Sequence, residues 1–126
     1  MKIIALGNEL RKDDGIALIL ASDLGAVKAF TNPENFINPG EEVIVVDAVD
    51  FGDKPGSVKE FSCKDICEFA ISTTHNCNVS VLEKLCKIKK IIGIQPKDTG
   101  YGKGLSGELS EKKPEILSNI KKLLNF

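Results

Sequence analysis

Lys2-Ile3-Ile4-Ala5-Leu6-Gly7-Asn8-Glu9-Leu10-Arg11-Lys12-Asp13-Asp14-Gly15 opens the chain, and its reading decides the fold. The apolar run from Lys2 to Leu6 has the length of a buried strand, and Gly7-Asn8 break it. A loop then carries two adjacent carboxylates, Asp13 and Asp14, to the start of a second apolar segment. Negative charge is thereby placed at the carboxyl edge of a sheet, where open α/β folds keep their ligand sites.

The same grammar repeats downstream. Gly15 to about Val27 is apolar enough for a helix buried on most of its faces. Residues 28–41 read as irregular, with turn signals at Asn32-Pro33-Glu34-Asn35 and Asn38-Pro39-Gly40. Glu42 to Asp47 is a second buried strand ending in an acid. Phe51 to Gly56 is a turn, and Ser57 to Ser62 alternates like an edge strand. A short helix is expected over Lys64 to Ala70 and a helical stripe from about Asn76 to Ile88. Lys90 to Ile94 is a third apolar strand, Pro96 to Gly107 a glycine-rich loop, and the tail from about Glu111 an amphipathic helix. Strands separated by helices predict an α/β three-layer sandwich: a mostly parallel twisted sheet of four to five strands with helices on both faces.

A chain of 126 residues is expected to form one domain. Its 42% hydrophobic and 28% charged content is that of a soluble globular protein, and a net charge of −1 argues against nucleic acid as partner. The lysine clusters at 87–90 and 112–122 read as solvated faces. Asp13 and Asp14 interrupt any signal-like apolar region, and no apolar stretch approaches the ~20 residues that a bilayer requires. A cytoplasmic location is expected. The four cysteines, Cys63, Cys67, Cys77 and Cys86, lack the tight spacing of a zinc knuckle and read as free thiols.

Three strands ending near 6, 47 and 94 would bring Asn8, Asp13, Asp14, Asp47, Asp50 and Gln95 to one edge. The only histidine of the chain, His75, follows Ser72-Thr73-Thr74 at the start of a helical stripe. A carboxylate from 13 or 14 with Asp47 and His75 makes a two-oxygen, one-nitrogen set suited to nickel, zinc, cobalt or iron, with positions left open. Other readings compete. Asp13 or Asp14 could cap the first helix, two carboxylates could share a proton as in aspartic proteases, and Cys77 with His75 could form a nucleophile pair.

The motifs resemble those of the hydrogenase maturation endopeptidases. The Gly-Asn, Leu and acidic pair before Gly match Gly7-Asn8-Glu9-Leu10-Arg11-Lys12-Asp13-Asp14-Gly15. A strand ending in Asp-Ala matches Val45-Val46-Asp47-Ala48, followed by Pro55-Gly56. A Thr-Thr-His matches Thr73-Thr74-His75, and a Gly-Ile-Gln-Pro with a later Gly-Leu-Ser matches Gly93-Ile94-Gln95-Pro96 and Gly104-Leu105-Ser106. Pro33-Glu34-Asn35 is similar to the branch that acts on hydrogenase-3-like enzymes.

The resemblance implies an endopeptidase, labelled aspartic-type, that removes the C-terminal extension of a nickel-iron hydrogenase large subunit after nickel insertion. It implies nickel recognition by Asp14, Asp47 and His75, the nickel being supplied by the substrate. The partner is then the large-subunit precursor, met by a monomer without membrane or nucleic acid. Two departures stand out. The segment between the first helix and Asp47 is short, so that the sheet is expected to lose a strand or fray at its edge. Ala17 replaces a small glycine that is common in the family. Two rivals remain: a non-catalytic nickel-site-binding maturation factor, and a small-molecule domain whose 100–107 loop cradles an anion.

Overall fold

The computed structural model describes residues 1–62 and 87–124. Five strands form one sheet: β1 (Lys2–Leu6), β2 (Val27–Phe30), β3 (Glu42–Ala48), β4 (Val58–Phe61) and β5 (Lys87–Ile94). Their order is β2-β1-β3-β5-β4; β1, β2, β3 and β5 run parallel, and β4 is an antiparallel edge. From β1 the chain moves to β2 on one side and then to β3 on the other. The β1/β3 boundary is therefore a topological switch point, the place where open parallel sheets form a ligand crevice.

Alternation in the strands separates two buried faces. Ile3, Ala5, Ile44, Val46, Ile92 and Ile94 face one way and pack with α1 (Ile16–Leu24) and α2 (Gly107–Leu124). Ile4, Leu6, Val43, Val45 and Ile91 face the other way and are buried as completely, as a sheet covered on both sides requires. Each fully buried Ile, Leu or Val contributes about 1.5–3 kcal/mol by leaving water. In α1, six of nine residues are buried. The helix stops at Gly25, which adopts the left-handed conformation at φ 66° while Ala26 N–H reaches back to Ala21 O at 2.9 Å.

Three expectations are corrected. The irregular 28–41 segment contains most of β2, so the sheet keeps its strand there. Only Ala29 of β2 is buried, and the short edge strand is recognised by pairing with β1 instead of by its own pattern. The third strand begins at Lys87, three residues early, and takes Lys87 and Ile88 away from the expected helical stripe. The last helix begins at Gly107, not near Glu111. Ser106 starts it, with its Oγ accepting Leu109 N–H at 3.4 Å, and Pro114 is absorbed inside the helix. The expected helix at 64–70, the rest of the 76–88 stripe and the four cysteines lie outside the described residues. Among those residues no helix is long and apolar enough to cross a membrane.

Candidate active site

The opening motif folds into a tight unit at the end of β1. Gly7 has φ 151°, and a Cβ there would stand 2.2 Å from the carbonyl oxygen of Asp14. Only glycine lets the 3-10 turn Lys12–Gly15 press against the strand end. Asn8 fastens the turn: its backbone N–H donates to Asp14 Oδ2 at 3.0 Å, and its Oδ1 accepts Leu10 N–H at 2.9 Å. Neither acid caps a helix through its side chain; the caps of this turn and of α1 are Arg11 and Gly15.

The two adjacent acids do different work. Asp13 is fully buried and receives the glycine-rich loop. Its Oδ2 accepts the backbone N–H groups of Lys97 and Asp98, both at 2.9 Å, and Ser106 Oγ–H at 2.8 Å; its Oδ1 accepts Ser106 N–H at 2.7 Å. Four donors satisfy a buried charge that would otherwise be costly. All four donors come from residues 97–106, so the partners of Asp13 are structural. In the 100–107 loop of the anion-cradle rival, Ser106 N–H goes to Asp13, Gly100 N–H to Asp98 Oδ1 and Gly102 N–H to Leu10 O, so these three amides are taken by the chain itself.

Outside this clamp, Lys12 Nζ meets Asp98 Oδ2 at 2.9 Å and Arg11 Nε donates to Thr99 O at 3.0 Å. Gly100 N–H, followed by the Lys12 ammonium, holds the Asp98 carboxyl below the ordinary carboxylate range.

Asp47 closes β3 at the same edge. The register pairs Ala5 with Val46, so Asp47 stands level with the end of β1, and the Lys12–Gly15 turn packs on β3. Asp47 is 3% exposed, and its Oδ1 accepts Ala48 N–H at 2.8 Å. Across the pair stands Gly93, where a Cβ would lie 2.8 Å from the Phe61 ring. One residue past β5, Gln95 organises the loop that follows Asp47. Its Oε1 accepts Phe51 N–H and Asp53 N–H at 2.8 and 3.3 Å, and its Nε2 donates to Asp50 Oδ1 at 3.0 Å.

Asp14 and Asp47 thus sit at the carboxyl ends of neighbouring parallel strands, on the switch point. His75, the third member of the expected set, lies outside the described residues. Among those residues no group of three His, Cys, Asp or Glu side chains is placed to hold a metal ion. Gln95 was visible in the sequence as a polar residue past a strand end, but its loop-building role was not. Ser106 carried a signal only as part of Gly104-Leu105-Ser106.

The family model of hydrogenase maturation proteases matches residues 23–124. The chain belongs to that family. The hydrogenase 3 maturation protease of Escherichia coli (strain K12) is 31% identical over 116 residues, covering 79% of this chain and 74% of that protein. It accords with the branch suggested by Pro33-Glu34-Asn35. The [NiFe] hydrogenase maturation protease HybD from Thermococcus kodakarensis superposes with a TM-score of 0.66 at 27% identity, over 98% of this chain and 99% of that one. The hydrogenase maturating endopeptidase HybD from E. coli gives 0.72 at 15% identity, over 99% and 93%, which shows the shared fold alone.

Proposed function

We propose that this maturation protease removes the C-terminal extension of a [NiFe] hydrogenase large subunit once nickel is in place, and that it reads the substrate-borne nickel through Asp14, Asp47 and His75. The observation that supports the reading is the convergence of Asp14 and Asp47 on the β1/β3 switch point in a chain of this family. Two carboxylates and an imidazole suit a borderline divalent ion and leave room for ligands from the substrate. Anchoring the metal fixes the neighbouring scissile peptide against the strand ends, so that the cut becomes a matter of proximity. Asp13, Asn8 and Gly7 act on Asp14 by fixing its turn, and Gln95 acts on the loop after Asp47.

The test is incubation with nickel-loaded and nickel-free precursor, followed by intact mass. Release of a short C-terminal peptide from the nickel-loaded form alone is the expected result. Equal cleavage of both forms would refute nickel recognition. Tight binding without any cleavage would leave a nickel-site-binding maturation factor.

A further inference from the structure

Beside the Asp14 turn lies a groove of about 380 Å³ that the opening motif does not explain. Three of the exposed large apolar side chains line it: Leu10, Ile19 and Phe30, at 53%, 44% and 37% exposure. Lys12, Lys28 and Lys103 line it as well, against a single carboxylate, Glu9. Lys12 is paired with Asp98, whereas Lys28 and Lys103 make no ion pair with any described residue. With Lys12 paired, two lysines stand against Glu9, and apolar surface beside a net positive charge is the complement of an apolar peptide carrying carboxylates.

Two further observations tie the groove to the site. Gly15, the residue after Asp14, is part of its lining, so an occupant lies next to the proposed nickel-reading turn. The two non-glycine residues with positive φ among the described residues, Lys12 at 44° and Phe30 at 51°, both line it. Phe30 keeps that conformation while its carbonyl accepts Gly7 N–H at 3.0 Å. Left-handed backbone is unfavourable for such residues, and strain of this kind gathers at ligand-facing positions.

Resting on the function proposed above, we infer that this groove docks an extended, acidic-and-apolar segment of the hydrogenase precursor and delivers the adjoining peptide to Asp14. A second copy of the chain is a poorer occupant, because a two-fold contact through this face would set one net positive patch against another.

The experiment compares wild type with a Lys28→Glu/Lys103→Glu double variant and with Ile19→Ser. A Lys121→Glu/Lys122→Glu variant on the last turn of α2 is the remote control, and melting curves verify that all are folded. Binding of nickel-loaded precursor is read by fluorescence anisotropy at low and high salt, and cleavage by separate KM and kcat. Both groove variants are expected to raise Kd and KM about tenfold with kcat held within about twofold, and the charge variant to lose the salt dependence. The control is expected to match wild type. Wild-type affinity in both groove variants would overturn the docking inference, even where cleavage proceeds and the proposed function stands. Groove-dependent binding without cleavage by wild type would uphold docking and refute the cleavage reading. A wild-type dimer that Ile19→Ser dissolves, with precursor binding unchanged, would assign the face to self-association. A wild type that neither binds nor cuts the precursor would overturn both.

Discussion

Asp13 and Ser106 are 93 positions apart in the chain and share two hydrogen bonds, Ser106 N–H to Oδ1 at 2.7 Å and Ser106 Oγ–H to Oδ2 at 2.8 Å. Ser106 also accepts Leu109 N–H at the start of α2, so the carboxylate stands at a helix N-terminus that its charge favours. Through this pair the loop before α2 becomes the backing of the Asp14 turn. The acidic doublet is thus one structural carboxylate and one that is left to the sheet edge.

Removing the charge of Asp13 should therefore cost stability first. Asp13→Asn turns one acceptor oxygen into a donor that faces N–H and O–H groups, and it weakens four charge-assisted bonds. A loss of about 2–4 kcal/mol is expected, against about 1 kcal/mol for Ser106→Ala. Urea unfolding monitored by circular dichroism reads both values. An Asp13→Asn protein with the wild-type midpoint would show that the clamp is not what holds the loop.

Gly7→Ala tests the close approach at the strand end. The new Cβ would meet the Asp14 carbonyl oxygen at 2.2 Å, a distance that real contacts do not show, so the turn must move. Cleavage of the precursor is expected to fall by about 100-fold, because small misplacements at a reacting centre carry costs of that size. Gly40→Ala provides the contrast: its φ is also positive, but no atom lies within 4 Å of the added Cβ. It should retain activity while losing about 1 kcal/mol of stability. Equal activity in the two variants would remove the packing argument.

What the sequence made legible follows from range of interaction. β1, β3 and the second half of β5 are apolar runs whose burial on both faces is written in their own composition, and the parallel-sheet rule then carries Asp14 and Asp47 to one edge. β2 is different. Val27 and Phe30 are partly exposed, Lys28 is charged, and only pairing with Ile4, Ala5 and Leu6 makes the segment a strand. The start of α2 at Gly107 is hard to read because the apolar stripe that marks the helix, Ile116, Ile120 and Leu124, lies in its later turns, and before it only Leu109 is buried. The division of labour between Asp13 and Asp14 was illegible, since every partner that distinguishes Asp13 lies 84 or more positions away.

Asp98 gives a pH signature. Gly100 N–H and then Lys12 lower its folded-state pKa, so the ionised form is favoured by folding. Its contribution to stability is then present at neutral pH and lost as pH falls through the lowered value, below the ordinary carboxylate range. Asp98→Asn should be slightly less stable than wild type at pH 7, and the difference should vanish in strong acid. Chemical unfolding at a series of pH values measures the gap. A gap that widens on acidification would contradict the assignment.

Asp14 should behave as the reverse of its neighbour. In Asp14→Asn the amide oxygen still accepts Asn8 N–H, so the turn keeps its fastening, but the anionic oxygen that would meet a divalent ion is gone. Stability is expected to change by less than about 1 kcal/mol while cleavage of nickel-loaded precursor drops by at least about 100-fold. The isolated wild-type protein, with an incomplete set of mixed ligands, should hold nickel weakly and release it to a chelator, because the substrate supplies the remaining coordination. Calorimetric titration with nickel, beside cleavage assays on Asp13→Asn and Asp14→Asn at matched folded fractions, separates the two roles. An Asp14→Asn enzyme that cuts at the wild-type rate would exclude this carboxylate from nickel recognition. Nickel that survives extensive chelation at one ion per chain would turn the metal into a resident cofactor instead of a feature of the substrate.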